Sequence, residues 1–471
     1  MQFELRWRIL VDGIGAGKLP AWWELPPPVG YNAGMSLDRP DAARSVNAVS
    51  RVVLASFIGT TIEWYDFFLY GTAAALVFNR LFFPELDPSA GTMASFATYA
   101  VGFFARPAGG IVFGHFGDRM GRKSMLVTTL MLMGLATFLI GALPTYAQIG
   151  VAAPVLLVVL RFIQGFGVGG EWGGAVLMAV EHGHRGRRGL YASWVQAGVP
   201  AGLLLATAVF NLFSLLPEEA FLQWGWRVPF LLGIALLGCG LFIRLQIFES
   251  PLFEQIRDRK EQSRAPLFEV LRRYPRNVVL AMGARFAENG AFYIFTVFVL
   301  SYATAELGVP RTSILNGVLV ASAAQFLVIP AFGILSDHVG RRPVYLAGAA
   351  ALAAFAFPFF WMVDTASTTL IGLAIVIGLV THAAMYAPQA AFFSELFGTD
   401  VRYTGASIGY QLASPLAGGL APLISMALLE WSGGSPWPVA VYLMILSAIT
   451  FVSVWAAVET HRNELGGEDR A

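Results

Sequence analysis

Apolar residues run along this chain in blocks long enough to cross a bilayer, separated by short polar connections rich in Gly, Pro and charge. A hydrocarbon core needs about 20 apolar residues per helix, and lipid offers no partner for backbone groups, so such blocks must be helices. Twelve are predicted, near residues 53–79, 92–116, 124–143, 153–180, 189–214, 227–248, 278–303, 312–336, 343–363, 368–393, 403–429 and 437–458. The stretch 249–277 is the only long, strongly charged connection and divides six blocks from six. The expected organisation is a tail (1–50), a six-helix bundle (51–248), a linker (249–277), a second bundle (278–458) and a short tail (459–471). The pattern predicts an all-α membrane protein of twelve transmembrane helices in two pseudo-symmetric bundles.

Composition narrows the classes open to it. Hydrophobic residues make up 56% and charged residues 13%, against about a quarter charged in soluble domains, and mean hydropathy is +0.63. A net charge of +1 argues against nucleic acid, whose binders concentrate cations on one face. The lone Cys239 cannot form an internal disulfide and reads as packing. His and Cys are too scattered for a metal site, and no phosphate-binding Gly-rich loop occurs, so neither ATP nor a cofactor is expected and the chain does not read as an enzyme. Residues 1–34 lack the pattern of a signal peptide, and Met35 opens an ordinary polar start; they are expected to be a disordered tail or a start-site artefact.

Lys and Arg set the orientation. With residue 51 inside, cytoplasmic segments from Met35 onward hold 21 of them, and the opposite side only Arg80, Arg227 and Arg311. The positive-inside rule then places both termini in the cytoplasm of a cell (inner) membrane.

One motif occurs twice. Gly114-x-x-x-Asp118-Arg119-x-Gly121-Arg122-Lys123 returns as Gly333-x-x-x-Asp337-His338-x-Gly340-Arg341-Arg342, each copy directly after an apolar block. Each half also carries an acid seven residues before a base, Glu181 with Arg188 and Glu395 with Arg402. Topology needs the bases but not the acids, so these groups are expected to form a cytoplasmic gate. In it Asp118 and Asp337 face the positive start of a helix from the other half.

These residues, with Ile62-Glu-Trp-Tyr-Asp-Phe-Phe-Leu-Tyr-Gly71, Arg161-x-x-Gln164-Gly-x-x-x-Gly-Gly-Glu-Trp-Gly-Gly174 and Val401-Arg-Tyr-Thr-Gly-Ala-Ser407, carry a resemblance. From about residue 50 to 460 the chain resembles the major facilitator superfamily, and within it the metabolite:proton symporters of shikimate and carboxylate type. The resemblance implies alternating access, uptake of a small organic acid with protons, and a proton-transfer role for Arg161. The same family includes proline and betaine carriers, an alternative weakened by the thirteen residues left after Val458, too few for the long heptad tail of osmosensing members. A non-transporting membrane sensor is a third reading. His338 stands where the second gate copy calls for Arg, a departure that would weaken that lock or make it pH-sensitive. Leu203 stands where the antiporter glycine motif needs Pro.

An ionisable group inside a span is a functional hypothesis by default. Glu63, Asp66, Glu171 and Glu288 face Arg106, Arg161 and Arg285 in number, leaving one acid over. Proton coupling is therefore expected at Asp66, Glu63 and Glu171, with Arg161 added by the resemblance, although Glu171 reads equally as a structural hydrogen-bonding group. An Asp66–Arg106 pair is expected across the first two spans. Substrate contacts are expected at Arg106, Tyr70, Gln164, Arg285, Glu288, Asn289, Tyr293, His382 and Gln389. The partners are an organic acid, protons and the lipid bilayer, and the protein is expected to act as a monomer.

Overall fold

The computed structural model describes residues 39–120, 122–169, 172–182, 186–246, 266–398 and 402–462. The expectations for residues 1–34, Gly121, Glu171 and most of the 249–277 linker lie outside these residues, as do those for the side chains of 114–124 and Glu181. The chain separates into a short unit, Met1–Asn47, and a main unit, Ala48–Ala471, which holds the site described below.

No strand occurs among the described residues. The first half consists of α1 (Arg39–Leu76), α2 (Pro88–Met120), α3 (Arg122–Ala142), α4 (Ala152–Val168, resuming as Trp172–His182), α5 (Arg188–Ser214) and α6 (Arg227–Gln246). The second half begins with α7 (Pro275–Tyr293), which passes through a π turn at Ile294–Phe298 into Val299–Ala305. It continues with α8 (Arg311–Val339), α9 (Arg341–Val363) and α10 (Thr368–Glu395). α11 (Arg402–Ser414) passes through a π turn at Pro415–Gly419 into Ala421–Trp431, and α12 (Trp437–Ala456) ends the bundle. Ten of these stretches are long and apolar enough to cross a membrane by length and composition, and Val127–Ala142 is a shorter apolar helix. Every predicted block falls on one of the twelve, because a hydrophobic run is a local property that tertiary contacts do not alter. Of the linker, the described part holds a short helix, Pro266–Arg273, and ends in the first residues of α7, which begins at Pro275.

Lipid provides no hydrophobic drive between helices, so contact depends on close packing at small residues. A Cβ on Gly165 would sit 1.9 Å from the Gly102 carbonyl oxygen, and one on Gly169 would sit 2.0 Å from that of Arg106. The backbones of α2 and α4 therefore touch. The two halves meet chiefly where α5 lies along α8 and where α2 lies against α11. At the first of these crossings a Cβ on Gly333 would lie 2.6 Å from Ser193 Oγ and 2.8 Å from the Gly189 oxygen. Large apolar side chains such as Val320, Leu327 and Ile445 point outward, as a lipid-facing surface requires. Cys239 is exposed on that surface.

Candidate functional site

Charges and amides that a chain buries in apolar surroundings must find partners within the protein or from a ligand. In the second half they find each other. Arg285 Nη1 lies 3.1 Å from Glu288 Oε2 and donates to Gln389 Oε1 at 3.1 Å, while its Nε donates to Ser414 Oγ at 3.2 Å. Gln389 in turn donates to Glu288 at 3.2 Å and to the Tyr345 hydroxyl at 2.9 Å. His382 sits 3.8 Å from Glu288, with Nδ1 2.7 Å from Gln325 Nε2. That same Gln325 nitrogen also donates to the Leu379 carbonyl, so it is a donor, and His382 Nδ1 accepts. The proton of the neutral ring is then on Nε2, facing Glu288.

Part of this network reaches the other half. The Arg285 guanidinium lies 3.2 Å from the centre of the Tyr410 ring, and Tyr410 stacks on Trp172 of α4 at 3.8 Å and 15°. Trp172 Nε1 donates to Gln196 Oε1, and Gln196 Nε2 donates to the Tyr386 carbonyl. Gln411 donates to the Gly169 carbonyl at 3.0 Å.

The first half is less satisfied. Arg161 donates to Gln164 and to the Tyr99 carbonyl, with its guanidinium over Phe67, Tyr70 and Tyr99 at 4.1, 4.2 and 4.6 Å. Gln164 passes the connection on to Thr137 Oγ1 at 2.8 Å and to the Asp66 carbonyl. The Tyr70 hydroxyl is bonded to Thr98, so this residue forms a wall of the Arg161 site and leaves no donor for a ligand.

Arg106 differs from Arg161 and Arg285. It is 1% exposed, lies over Phe67, Phe103 and Trp64 at 4.2, 4.6 and 5.2 Å, and none of its three guanidinium nitrogens has a hydrogen-bond partner among the described residues. Three cation–π contacts at about 0.5–2 kcal/mol each do not replace five N–H bonds to water, so the position favours an anion from outside the chain. It does not obtain one from Asp66. The Asp66 carboxyl turns toward Thr137 and Gly233, 3.3 Å from the Cβ position of the latter, and accepts no hydrogen bond of ordinary geometry. The expected Asp66–Arg106 pair is therefore absent: both residues were placed at similar depth, but helix rotation aims them at different neighbours. Asn289 Nδ2 is likewise buried and unpartnered, with Oδ1 and Tyr293 packed on Gly418. Tyr293 meets Phe103 at 5.1 Å and Tyr99 at 5.8 Å, which brings the Arg106 and Asn289 walls together across the halves. Glu63 is buried on α1.

The second copy of the repeated motif forms the contact its charges suggest. Asp337, near the end of α8, accepts from the Gly189 and Leu190 amides at the start of α5, at 2.8 and 3.0 Å. Arg341 donates to Asp337 at 2.7 Å and lies 3.3 Å from Glu395, and Arg188 reaches Glu395 from the first half at 3.6 Å. Gly340, at φ 109°, makes the turn into α9, while Arg342 leaves the cluster to donate to Val454 and Trp455. Arg402 is buried at the head of α11. His338 is exposed, its ring folded back on the Ile334 carbonyl. Two residues missed in the sequence complete the cluster. Glu459 accepts the Arg341 and Arg342 amides at 2.9 and 3.0 Å, and Thr460 donates to Glu395 at 2.7 Å. Their only sequence signal was an acid placed directly after the last span.

The opposite end is bridged too, by Arg311–Glu218 at 2.6 Å, Ser89–Glu430 at 2.5 Å and Asn211–Asn316 at 2.7 Å. Two helical halves thus enclose buried charge and touch each other at both ends. Residues 52–278 match the family of sugar (and other) transporters, and residues 281–470 match the Major Facilitator Superfamily.

The chain belongs to the major facilitator superfamily, a family of transporters and not of enzymes, and is a multi-pass membrane protein. It is 44% identical to the shikimate transporter of Escherichia coli (strain K12) over 88% of this chain and 96% of that protein. It is 41% identical to the inner membrane metabolite transport protein YhjE of the same strain, over 91% and 99%. Its fold is that of the proton:xylose symporter XylE of E. coli bound to 6-bromo-6-deoxy-D-glucose, with a TM-score of 0.69 at 18% identity over 87% of this chain and 95% of that one.

Proposed function

We propose that this protein is a proton-coupled symporter that takes up a small organic acid, such as shikimate or another mono- or dicarboxylate, by alternating access in the inner membrane. The observation that carries this reading is Arg106, a buried guanidinium with aromatic walls and no acceptor among the described residues. A carboxylate is the partner such a planar fork fits best. The likeness to a shikimate transporter supports the substrate class.

Asp66 is the foremost proton carrier in this reading, with Glu63, Arg161 and Glu171 as further members of the coupling route. Buried and without a hydrogen-bond donor, the Asp66 carboxyl gains by holding a proton when it leaves the wetter state of the cycle. The motif end, with Asp337 docked on α5, is the cytoplasmic gate, and both termini lie on its side, as the distribution of Lys and Arg supports. Proton and acid load from the outer side, the halves rock about the centre, and opening of the motif end releases both.

The test is accumulation by the purified protein in liposomes under an imposed proton gradient, with shikimate, oxoglutarate and betaine as labelled probes. Gradient-driven accumulation of an acid supports the proposal, and accumulation of betaine alone replaces it with an osmolyte carrier. No accumulation of any solute overturns it. Asp66→Asn abolishes accumulation if Asp66 carries the proton; a variant that concentrates the acid normally removes it from the mechanism.

A further inference from the structure

On the motif side of the protein, the end of α12 is held by two arginines from other helices. Arg276, at the start of α7, donates from Nη2 to the Ala456 carbonyl at 3.1 Å. Arg342, at the start of α9, donates from Nε to the Val454 carbonyl at 3.0 Å and from Nη2 to that of Trp455. Three consecutive carbonyls of the last turn thus draw both guanidinium groups into one corner, where the helix dipole favours cations. Capping does not exhaust them. A guanidinium carries five N–H donors, of which Arg276 spends one here and Arg342 two, and Arg276 is exposed. The acid beside them, Glu459, is occupied by the backbone N–H groups of Arg341, Arg342, Thr460 and His461. Among the described residues, neither arginine forms an ion pair.

Apolar surface adjoins this charge. Trp455 is 66% exposed, Val452 one turn before it on α12 is 61% exposed, and Val279 one turn after Arg276 on α7 is 65% exposed. The two helices are in contact, since a Cβ on Gly283 would lie 2.0 Å from Ser453 Oγ, so the charge and the apolar side chains sit on one packed pair. We propose that this corner binds the headgroup of an anionic phospholipid, its phosphate held by Arg276 and Arg342 and its acyl chains lying along Val279, Val452 and Trp455. Trp belongs at the headgroup level of a bilayer, and the Arg fork matches phosphate oxygens. A zwitterionic headgroup fits less well: its ammonium would sit beside two guanidinium groups, and the acid at hand is already occupied. An anionic lipid here ties the starts of α7 and α9 to the end of α12, one residue from Arg341 of the motif end. The site does not depend on what Arg106 binds; that the lipid belongs to the cytoplasmic leaflet follows from the orientation proposed above.

Native mass spectrometry of the full-length protein in detergent, titrated with dioleoylphosphatidylglycerol, dioleoylphosphatidylcholine or inorganic phosphate, tests the site. One basic residue at an anionic lipid surface strengthens binding about fivefold, so two predict that the first phosphatidylglycerol binds at least about tenfold tighter than phosphatidylcholine. Arg276→Gln and Arg342→Gln each cut that preference about fivefold. Arg80→Gln, which removes the same charge from the opposite end, leaves it within about twofold of the parent. Because loss of a helix cap lowers stability by itself, the quantity read is the ratio of the two lipids and not the melting temperature; if one substitution does not yield folded protein, the other reads the same ratio. Equal affinity for the two lipids overturns the proposal, as does a preference that survives both substitutions. A preference that falls equally in Arg80→Gln reports net charge alone and also overturns it. Displacement of the lipid by inorganic phosphate assigns the corner to a soluble anion and overturns the lipid.

Discussion

Asp337 is the point at which the motif end is most open to quantitative test. Its two carboxylate oxygens accept separate backbone amides of α5, at 2.8 and 3.0 Å, and one also takes Arg341 at 2.7 Å. Asparagine in its place keeps one acceptor and turns an amide N–H toward the other donor. Hydrogen bonds to a charged group contribute about 1.5–3 kcal/mol and neutral ones about 1 kcal/mol. One bond is lost and the other weakened, so Asp337→Asn destabilises the closed end by about 2–4 kcal/mol. Arg341 retains Glu395, which keeps the loss from growing further. At 1.4 kcal/mol per tenfold, the equilibrium moves about 30- to 1,000-fold toward the state open at this end. The assay begins from a Cys239→Ser background and places a cysteine at Ser193, which is buried at the α5–α8 crossing. Alkylation by a membrane-impermeant maleimide from the motif side rises by at least tenfold in Asp337→Asn, and net uptake falls while exchange of pre-loaded substrate persists. Alkylation rates within twofold of the parent refute the gate as described.

Three further outcomes follow from particular contacts. Arg106→Gln removes the vacant fork and raises KM for the acid by about 10- to 150-fold, the equivalent of one charge-assisted bond, in liposome uptake; an unchanged KM places the carboxylate elsewhere. Gly165→Ala forces a Cβ to within 1.9 Å of a backbone oxygen on α2, so its yield of monodisperse protein on size exclusion collapses. Gly238→Ala, with nothing within 4 Å, serves as the control that does not. Glu459 lies just past α12; burial alone would raise its pKa, but four backbone N–H groups outweigh that and hold it below the ordinary 4.5. A depressed carboxylate stabilises the fold above its unfolded pKa and loses that contribution as pH falls through the folded value. Glu459→Gln therefore lowers the melting temperature near neutral pH by an amount corresponding to a lost helix cap, about 1 kcal/mol. The difference from the parent shrinks below pH 4.5, and a pH-independent difference contradicts the assignment.

The amino-acid sequence by itself determined the twelve helices, their division into two halves and the kind of partner Asp337 takes, a helix start in the other half, since each follows from a local property. Hydrophobic run length specifies a span. A repeated acid next to a helix start specifies a charge that needs an N–H. It also singled out Arg106, Arg161, Arg285 and Glu288, because an ionisable residue within an apolar run is visible without any fold. Only the tertiary structure decided which of these charges meet. Depth along a helix can be counted at 1.5 Å per residue, but rotation about the axis is set by packing against several neighbours at once. That is why Asp66 faces Thr137 and Gly233 instead of Arg106, why Tyr70 closes on Thr98, and why Tyr410 and Trp172, far apart in the chain, stack between the halves. The same physics leaves Arg285 paired and Arg106 vacant, a distinction the sequence could not express because both are simply arginines in apolar helices.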